Sequence, residues 1–377
     1  MITVYAAKVS YSIEERDKKM AEKVVVGMSG GVDSSVAAYL LKQQGYDVIG
    51  VTMLTWQDGA CNIREDNMGN STFDAAKDAG RVAAKLDIPH YVMDFTKEFK
   101  EKVVDYFVEE YLAGRTPNPC VVCNRYVKWE AMWESARKMG ASYIATGHYA
   151  RVARLENGRY TVRNSVTAQK DQTYALYNLT QEQLAHTLMP VGDYTKEQIR
   201  QIAREEGLAV AHKPDSQEIC FIPDHDYAAF IDRQARDRVP GKGNFVTKEG
   251  EVLGEHRGIT HYTVGQRKGL QLSMGHPVFV TGIKPETDEV IIGEAEDVFG
   301  DTLCCHHINY MGMADLPVPR QVTAKIRYAH AGETCLIEKA GEDTIRCTFA
   351  KPVRAITPGQ AVVFYEEDCV LGGGIIL

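Results

Sequence analysis

The stretch VVVGMSGGVDSSVAAYLL, residues 24–41, restricts the fold of this chain more than any other feature. A run of β-branched residues with no polar break reads as a strand buried on both faces, a property of parallel sheets. The run stops at Ser29-Gly30-Gly31. After Asp33-Ser34-Ser35 the apolar positions Val36, Ala37, Leu40 and Leu41 recur at helical spacing. Paired glycines at such a junction let backbone amides face outward in a tight turn, and the helix behind them directs its positive end at an anion. Ser29, Ser34 and Ser35 add hydroxyl donors, while Asp33 is placed to cap the helix or to help hold a magnesium ion. No Lys follows the last glycine, so this is not a Walker loop, but it keeps that loop's means of cradling phosphate.

The alternation continues downstream. DVIGVTM and HYVMDF read as strands, STFDAAKDAGRVAAKLDI as a helix starting at Ser71 or Thr72, residues 97–113 and 127–139 as helices, and SYIATGHY as another strand. Together they predict an α/β domain with a Rossmann-like parallel sheet covered on both faces. Ligands on such sheets sit beyond the carboxyl ends of strands, where Ser29, Met53 and Gly147 are expected. After residue 222 the texture changes. Residues 225–238 form a short amphipathic helix, a Gly-rich stretch comes next, and from about 277 short β-branched runs separated by turn residues predict a small antiparallel barrel. The expected organisation is a disordered extension over 1–19, a catalytic domain over 20–224, a small central domain over 225–283 and a C-terminal antiparallel β-barrel over 284–377.

Composition narrows the class of function. No apolar run approaches the ~20 residues that span a bilayer, so no membrane segment is expected. Residues 1–19 lack the apolar core of a signal peptide and carry Glu14, Glu15 and Asp17 beside a single Arg16. Nine cysteines, odd in number and irregular in spacing, point to a reducing, cytoplasmic location rather than a secreted disulfide framework. The net charge of −8 is unevenly spread: residues 58–110 carry −5, whereas 257–284 carry +4 and 320–354 carry +3. A basic C-terminal half is therefore available to a phosphate backbone.

At SGGVDSS the sequence resembles the N-type ATP pyrophosphatases. The resemblance implies cleavage of ATP to AMP and pyrophosphate, with AMP passed to a carbonyl-type oxygen that then leaves readily. The cysteines suggest the group that replaces this oxygen. GRTPNPCVVCNRYVKW holds Cys120 and Cys123 behind Pro117 and Pro119, which keep the approach out of helix, and HKPDSQEICFIP holds Cys220. Zinc would need two ligands beyond the one Cys-x-x-Cys pair. Cys304-Cys305-His306-His307 lies in a strand-like run, where neighbours face opposite ways and share no ion. Cys335, Cys347 and Cys369 read as small apolar residues. Replacing an activated oxygen by sulfur needs a persulfide carrier and a second thiol to release the sulfur, and Cys123 with Cys220 supply such a pair.

From Met20 to Leu377 the sequence is similar to the tRNA-specific 2-thiouridylase family. The motifs carrying this are GMSGGVDSS, GRTPNPC with Cys123, ATGHYAR, KDQTYALY, DSQEICFIP, GQRKGL and TPGQAVVFY with LGGGII. The resemblance implies that Gly27, Met28, Ser29, Gly30, Gly31, Val32, Asp33 and Ser34 bind ATP with Mg2+, that Met53 lies by the adenine and that Gly147 borders the nucleotide. It implies Cys123 as nucleophile and Cys220 as persulfide carrier, charged by a cysteine desulfurase or a relay protein. Asn118, Pro119 and Cys120 would face the target uridine of tRNA. Lys170, Asp171, Gln172, Arg327, Tyr328, His148 and Gln360 would touch the tRNA. Position 120 is Cys where some relatives carry Asp. Tyr328 beside Arg327 offers a stacking face next to a cation, and Gln266, Arg267 and Lys268 a phosphate contact. The uridine must leave its stack to reach a buried thiol. Three rivals stand beside this reading: an amide-forming or argininosuccinate-type ligase that needs no cysteine, thiolation through an iron–sulfur cluster on Cys120, Cys123 and Cys220, and a non-catalytic RNA- or nucleotide-binding module.

Overall fold

The computed structural model describes residues 22–56, 72–214 and 219–377. The expected extension over 1–19, Cys61 and the Asp215–Glu218 part of DSQEICFIP lie outside the described residues. The first sheet has the order β3 (His90–Asp94), β2 (Asp47–Leu54), β1 (Lys23–Gly27), β4 (Tyr143–Ala145), β7 (Thr187–Leu188), with every pair parallel. Strand β1 lies between β2 and β4, so the chain reverses its direction of build there, and a crevice opens at the carboxyl ends of β1 and β4. Val24, Val25 and Val26 of β1 are fully buried, because successive side chains enter two separate cores. Val25 joins Val51, Phe99 and Trp129 on one face, while Val24 and Val26 join Val36, Leu41 and Ile199 on the other.

Helix α1 (Val32–Gln43) follows β1, α2 (Thr72–Lys85) follows β2, and residues 96–112 run on as one helix, α3. The next helix, α4, spans residues 119–138 and widens into π-type turns over Cys123–Ala131. It starts eight residues before the 127–139 expected. Pro119, expected to keep the chain out of helix, stands at the first helical position, where its missing N–H costs nothing, and Asn118 caps the turn. Two further helices are α5 (Lys196–Glu205) and α6 (Tyr227–Ala235). The SYIATGHY strand ends early, at Ala145. Beyond it the chain leaves the sheet to bring Gly147 against α1, then re-enters a different sheet as β5 (Ala150–Arg154) and β6 (Tyr160–Asn164).

The central domain is a four-stranded sheet with the order β10 (Phe279–Lys284), β11 (Glu289–Gly293), β8 (Gly243–Val246), β9 (Val252–His256). The boundary expected at 283/284 therefore cuts a hairpin. Val290 and Ile292 of β11 bury against Phe245 and Tyr262, which keeps the hairpin in the central core. The barrel begins at β12 (Phe299–Tyr310) and continues through β13 (Arg320–Lys325), β14 (Glu333–Gly341), β15 (Thr344–Arg354), β16 (Ala361–Glu366) and β17 (Cys369–Ile376). It is antiparallel, and β12 pairs with both β15 and β17, which closes six strands without a free edge. Strands β6 and β5 extend it from β17, so the barrel is hydrogen-bonded to the catalytic domain.

Candidate active site

The turn between β1 and α1 has the geometry its glycines predict. Gly30 sits at φ +67°, and a Cβ there would lie 2.4 Å from the Ala75 carbonyl oxygen. The Ser29 amide donates to Ser34 Oγ at 3.1 Å, and the Ser35 hydroxyl donates to the Gly31 carbonyl at 2.7 Å. Gly31 is the N-cap of α1 and no side chain caps the helix, so the first amides face an incoming anion rather than a carboxylate. Gly147 closes the other wall: a Cβ there would stand 2.5 Å from the Ser34 amide nitrogen.

Two lysines complete this pocket, and no sequence motif marks either of them. Lys196, nearly buried at the start of α5, donates to both Asp33 oxygens at 2.7 and 2.8 Å, and the Tyr149 hydroxyl donates to Asp33 Oδ1 at 2.8 Å. Lys213 Nζ donates to the Gly30 carbonyl at 3.2 Å and to Asp78 Oδ2 at 2.9 Å. The available signal for Lys213 is its place in the same Pro-bounded segment as Cys220. Outward amides, serine hydroxyls and two ammonium groups fit a polyphosphate. Asp33 is not the helix cap, since no side chain caps α1; its carboxylate accepts instead from Lys196 and Tyr149. Met53 packs against the core that holds Cys123, beside Trp56 and Met93.

Helix α4 carries Cys120 and Cys123 and packs on one face of the parallel sheet. Asn118 Oδ1 accepts from the Cys120 and Val121 amides at 3.1 and 3.4 Å, and Pro119 occupies the first helical position. Further along, Met132 Sδ lies 3.4 Å from where a Cβ on Gly27 would be, so α4 packs on the end of β1. Cys120 is exposed and Cys123 buried. The second segment reaches the same place through its aromatic neighbour. Phe221 packs edge-on against Phe99 and Phe107, with ring centroids 5.6 and 5.4 Å apart, and belongs to the core that includes Cys123.

Cys120, Cys123 and Cys220 are close enough to perturb one another. Burial pushes the Cys123 thiol up to about 12, with Cys220 and Cys120 adding to the rise and Lys128 opposing it. The Cys220 thiol is also raised, first by the protein packed around it and then by Cys120, although the residue keeps solvent-accessible surface. Among the described residues, no group of three or more His, Cys, Asp or Glu side chains is placed to hold a metal ion, and the three thiols form no cluster site. In the barrel, Cys335 and Cys347 are buried as expected, whereas Cys369, read in the same way, is half-buried at the start of β17; Cys305 is buried, Cys304 half-buried, and His306 stacks on His307 at 4.2 Å.

Several residues expected to touch tRNA are braces in this structure. Gln360 Nε2 donates to the Thr116 and Pro117 carbonyls at 2.9 and 3.3 Å, clamping the barrel to the segment that leads into α4. Asp171 accepts from the Ser165 amide and the Thr173 hydroxyl, and Gln172 Oε1 from the Tyr149 amide. Arg327 donates to the Arg354 carbonyl at 2.7 Å. His148 shares a 2.7 Å hydrogen bond with Thr146, packs on Trp129 and is held neutral, its pKa well below the usual value because of burial and then Lys128. Tyr328 is half-exposed, and its hydroxyl is raised by burial and then by the nearby Asp171 and Cys120. The fold thus brings a barrel aromatic to the exposed thiol, with Lys170 on the short turn of residues 168–170 that ends at Asp171. Arg267 and Lys268 are exposed on a loop between Gly265 and Gly269.

Three family models match the chain in succession. One described as a tRNA methyl transferase HUP domain covers residues 22–224, a tRNA methyl transferase PRC-barrel domain covers 228–294, and an aminomethyltransferase β-barrel domain covers 300–376. The tRNA-specific 2-thiouridylase of Lachnoclostridium phytofermentans is 59% identical over 94% of this chain and 99% of its own. That of Clostridioides difficile is 52% identical over 95% of this chain and 98% of its own. A solved 4-thiouridine synthetase–RNA complex with bound ATP covers 58% of this chain and 51% of its own at TM-score 0.34 and 15% identity.

Proposed function

The chain belongs to the tRNA-specific 2-thiouridylase family, and from that premise we propose that it converts a uridine of tRNA, at the wobble position, to 2-thiouridine. ATP, entering as its magnesium complex, binds over Gly27–Ser34 with Gly147 as the opposite wall. The amides at the start of α1 and the ammonium groups of Lys196 and Lys213 receive its phosphates. The uridine C2 oxygen attacks the α-phosphorus and pyrophosphate leaves. The terminal sulfur of a Cys220 persulfide, having lost its proton, adds to C2, and AMP departs with the former C2 oxygen. The Cys123 thiolate then attacks Cys220 Sγ. The sulfur–sulfur bond to the nucleoside breaks with its electron pair on the departing sulfur, releasing 2-thiouridine and leaving a Cys123–Cys220 disulfide that a dithiol reductant reopens. The persulfide comes from a cysteine desulfurase or a relay protein.

The observation that carries this reading is that Cys123 and Cys220, ninety-seven positions apart in sequence, come close enough for each to lie within reach of Cys120 and for Cys220 to raise the Cys123 thiol. A ligase that needs no cysteine gives no reason for that meeting. Arg327, Tyr328 and the exposed Arg267-Lys268 loop are the surface offered to tRNA, with Asn118, Pro119 and Cys120 nearest the flipped base. All eight described cysteines are free, which suits a reducing cytoplasm, and no helix among the described residues is long and apolar enough to cross a membrane. The test is nucleoside analysis of unmodified tRNA after incubation with ATP, magnesium and a persulfide source. 2-Thiouridine should appear with wild type and vanish in Cys123→Ser and in Cys220→Ser, both of which still release pyrophosphate. Product formation by either variant would sink the two-thiol mechanism.

A further inference from the structure

We propose that Lys128 is a positioning residue for sulfur transfer, its ammonium steadying the negative charge that passes between the Cys123 and Cys220 sulfurs. The inference rests on the two-thiol reading above and adds a group to it.

In a regular α-helix a residue five positions on lies roughly 140° around the axis, on the far side. In π-type turns, with about 4.4 residues per turn, the same residue lies only about 50° away. Helix α4 is widened over Cys123–Ala131, so Lys128 comes round to the side of the helix that carries Cys123. Widened turns of this kind concentrate at functional sites, where they re-aim one side chain.

This cation has no other employment. Lys128 is half-buried, and among the described residues it makes no hydrogen bond or ion pair. On the same helix Arg125 donates to Gln183 and lies over the Tyr126 ring, Lys138 pairs with Glu134, and Arg137 is exposed to solvent, whereas Lys128 is neither partnered nor fully exposed. A half-buried ammonium without a counter-charge is costly unless a negative charge arrives during the working cycle. The titratable groups within its reach are Cys123, Cys220 and His148. Its field is felt at Cys123, Cys220 and His148, favouring thiolate at the first two and a neutral ring at the third. A neutral His148 does not compete for the anion.

A nearby opposite charge shifts a thiol by about one pH unit or more. One unit removes tenfold of the thiolate, and the compensating gain in intrinsic nucleophilicity leaves about a threefold loss of rate. The experiment measures iodoacetamide alkylation of each cysteine by peptide mass spectrometry across pH 6.5–9.5, in the resting protein without ATP, tRNA or sulfur donor. In Lys128→Met, alkylation of Cys123 and Cys220 should slow about threefold at pH 7.5, while half-buried Cys304 in the barrel keeps its rate. Lys128→Arg should restore both rates. Buried Cys335 monitors folding: were it to become reactive in Lys128→Met, Lys128→Gln takes that variant's place. Wild-type alkylation rates at Cys123 and Cys220 in the uncharged variant, or an equal slowing in Lys128→Arg, overturn the proposal. Because this readout needs no thiolation, failure of wild type to make 2-thiouridine would sink the functional reading without touching this result.

Discussion

Gly147→Ala tests whether the phosphate turn works as a fixed cradle. Position 147 has no left-handed backbone requirement, so the substitution acts through space alone. The added Cβ would lie 2.5 Å from the Ser34 nitrogen, 2.6 Å from the Asp33 carbonyl carbon and 2.9 Å from the Ser34 Cα. Atoms of these kinds do not approach within 3.0 Å, and no flexible side-chain end is available to yield, so the backbone must retreat by about 0.5 Å or more. Overpacking of that order costs about 1–3 kcal/mol. The atoms displaced are the first turn of α1, whose uncapped amides we propose receive the ATP phosphates, so the strain should appear as a loss of ATP affinity of about 10- to 100-fold. Isothermal titration with a non-hydrolysable ATP analogue measures it, with denaturant unfolding in parallel. Gly241→Ala is the control, since a Cβ there meets nothing within 4 Å, and it should stay within about 0.5 kcal/mol of wild type. Wild-type affinity and stability in Gly147→Ala, or an equal loss in Gly241→Ala, would refute the argument from close approach.

Other perturbations separate the remaining parts. Gln360→Ala removes the barrel's two bonds to Thr116 and Pro117 and should cost about 1–2 kcal/mol. It should slow thiolation more than it weakens ATP binding, because the clamped segment leads into the Cys123 helix and not into the phosphate turn. With the Cys123 thiol raised to about 12, its reactive anion grows about tenfold per pH unit well below that value. The single-turnover release step should therefore rise with pH at a log–log slope near +1 from about pH 6.5 to 9, and a plateau below pH 8 would count against Cys123 as the attacking group. The same shift has a stability sign. The fold keeps Cys123 protonated at pH values where the unfolded chain, near its ordinary value of about 9, has ionised. Wild type should lose stability relative to Cys123→Ala between about pH 9 and 12, by at most about 1.4 kcal/mol per unit.

Sequence alone determined the strand–turn–helix opening and the change from alternating α/β to short antiparallel strands, and it singled out Cys123 and Cys220 as the thiols to test. These features are local: the two-residue and 3.6-residue periods, paired glycines and isolated thiols can be read within a few residues. Tertiary structure decided what those windows cannot contain. Pro119 opens a helix instead of preventing one because Asn118 caps it, and the central sheet claims the hairpin of β10 and β11 because its apolar face matches Phe245 and Tyr262. Asp33 meets Lys196 from 163 positions away, Gln360 clamps a segment 244 positions earlier, and Lys128 turns toward Cys123 because the helix widens between them. A long polar side chain is assigned its partner by whatever element packs opposite it, and that neighbour is fixed by the whole arrangement of layers rather than by the residues on either side.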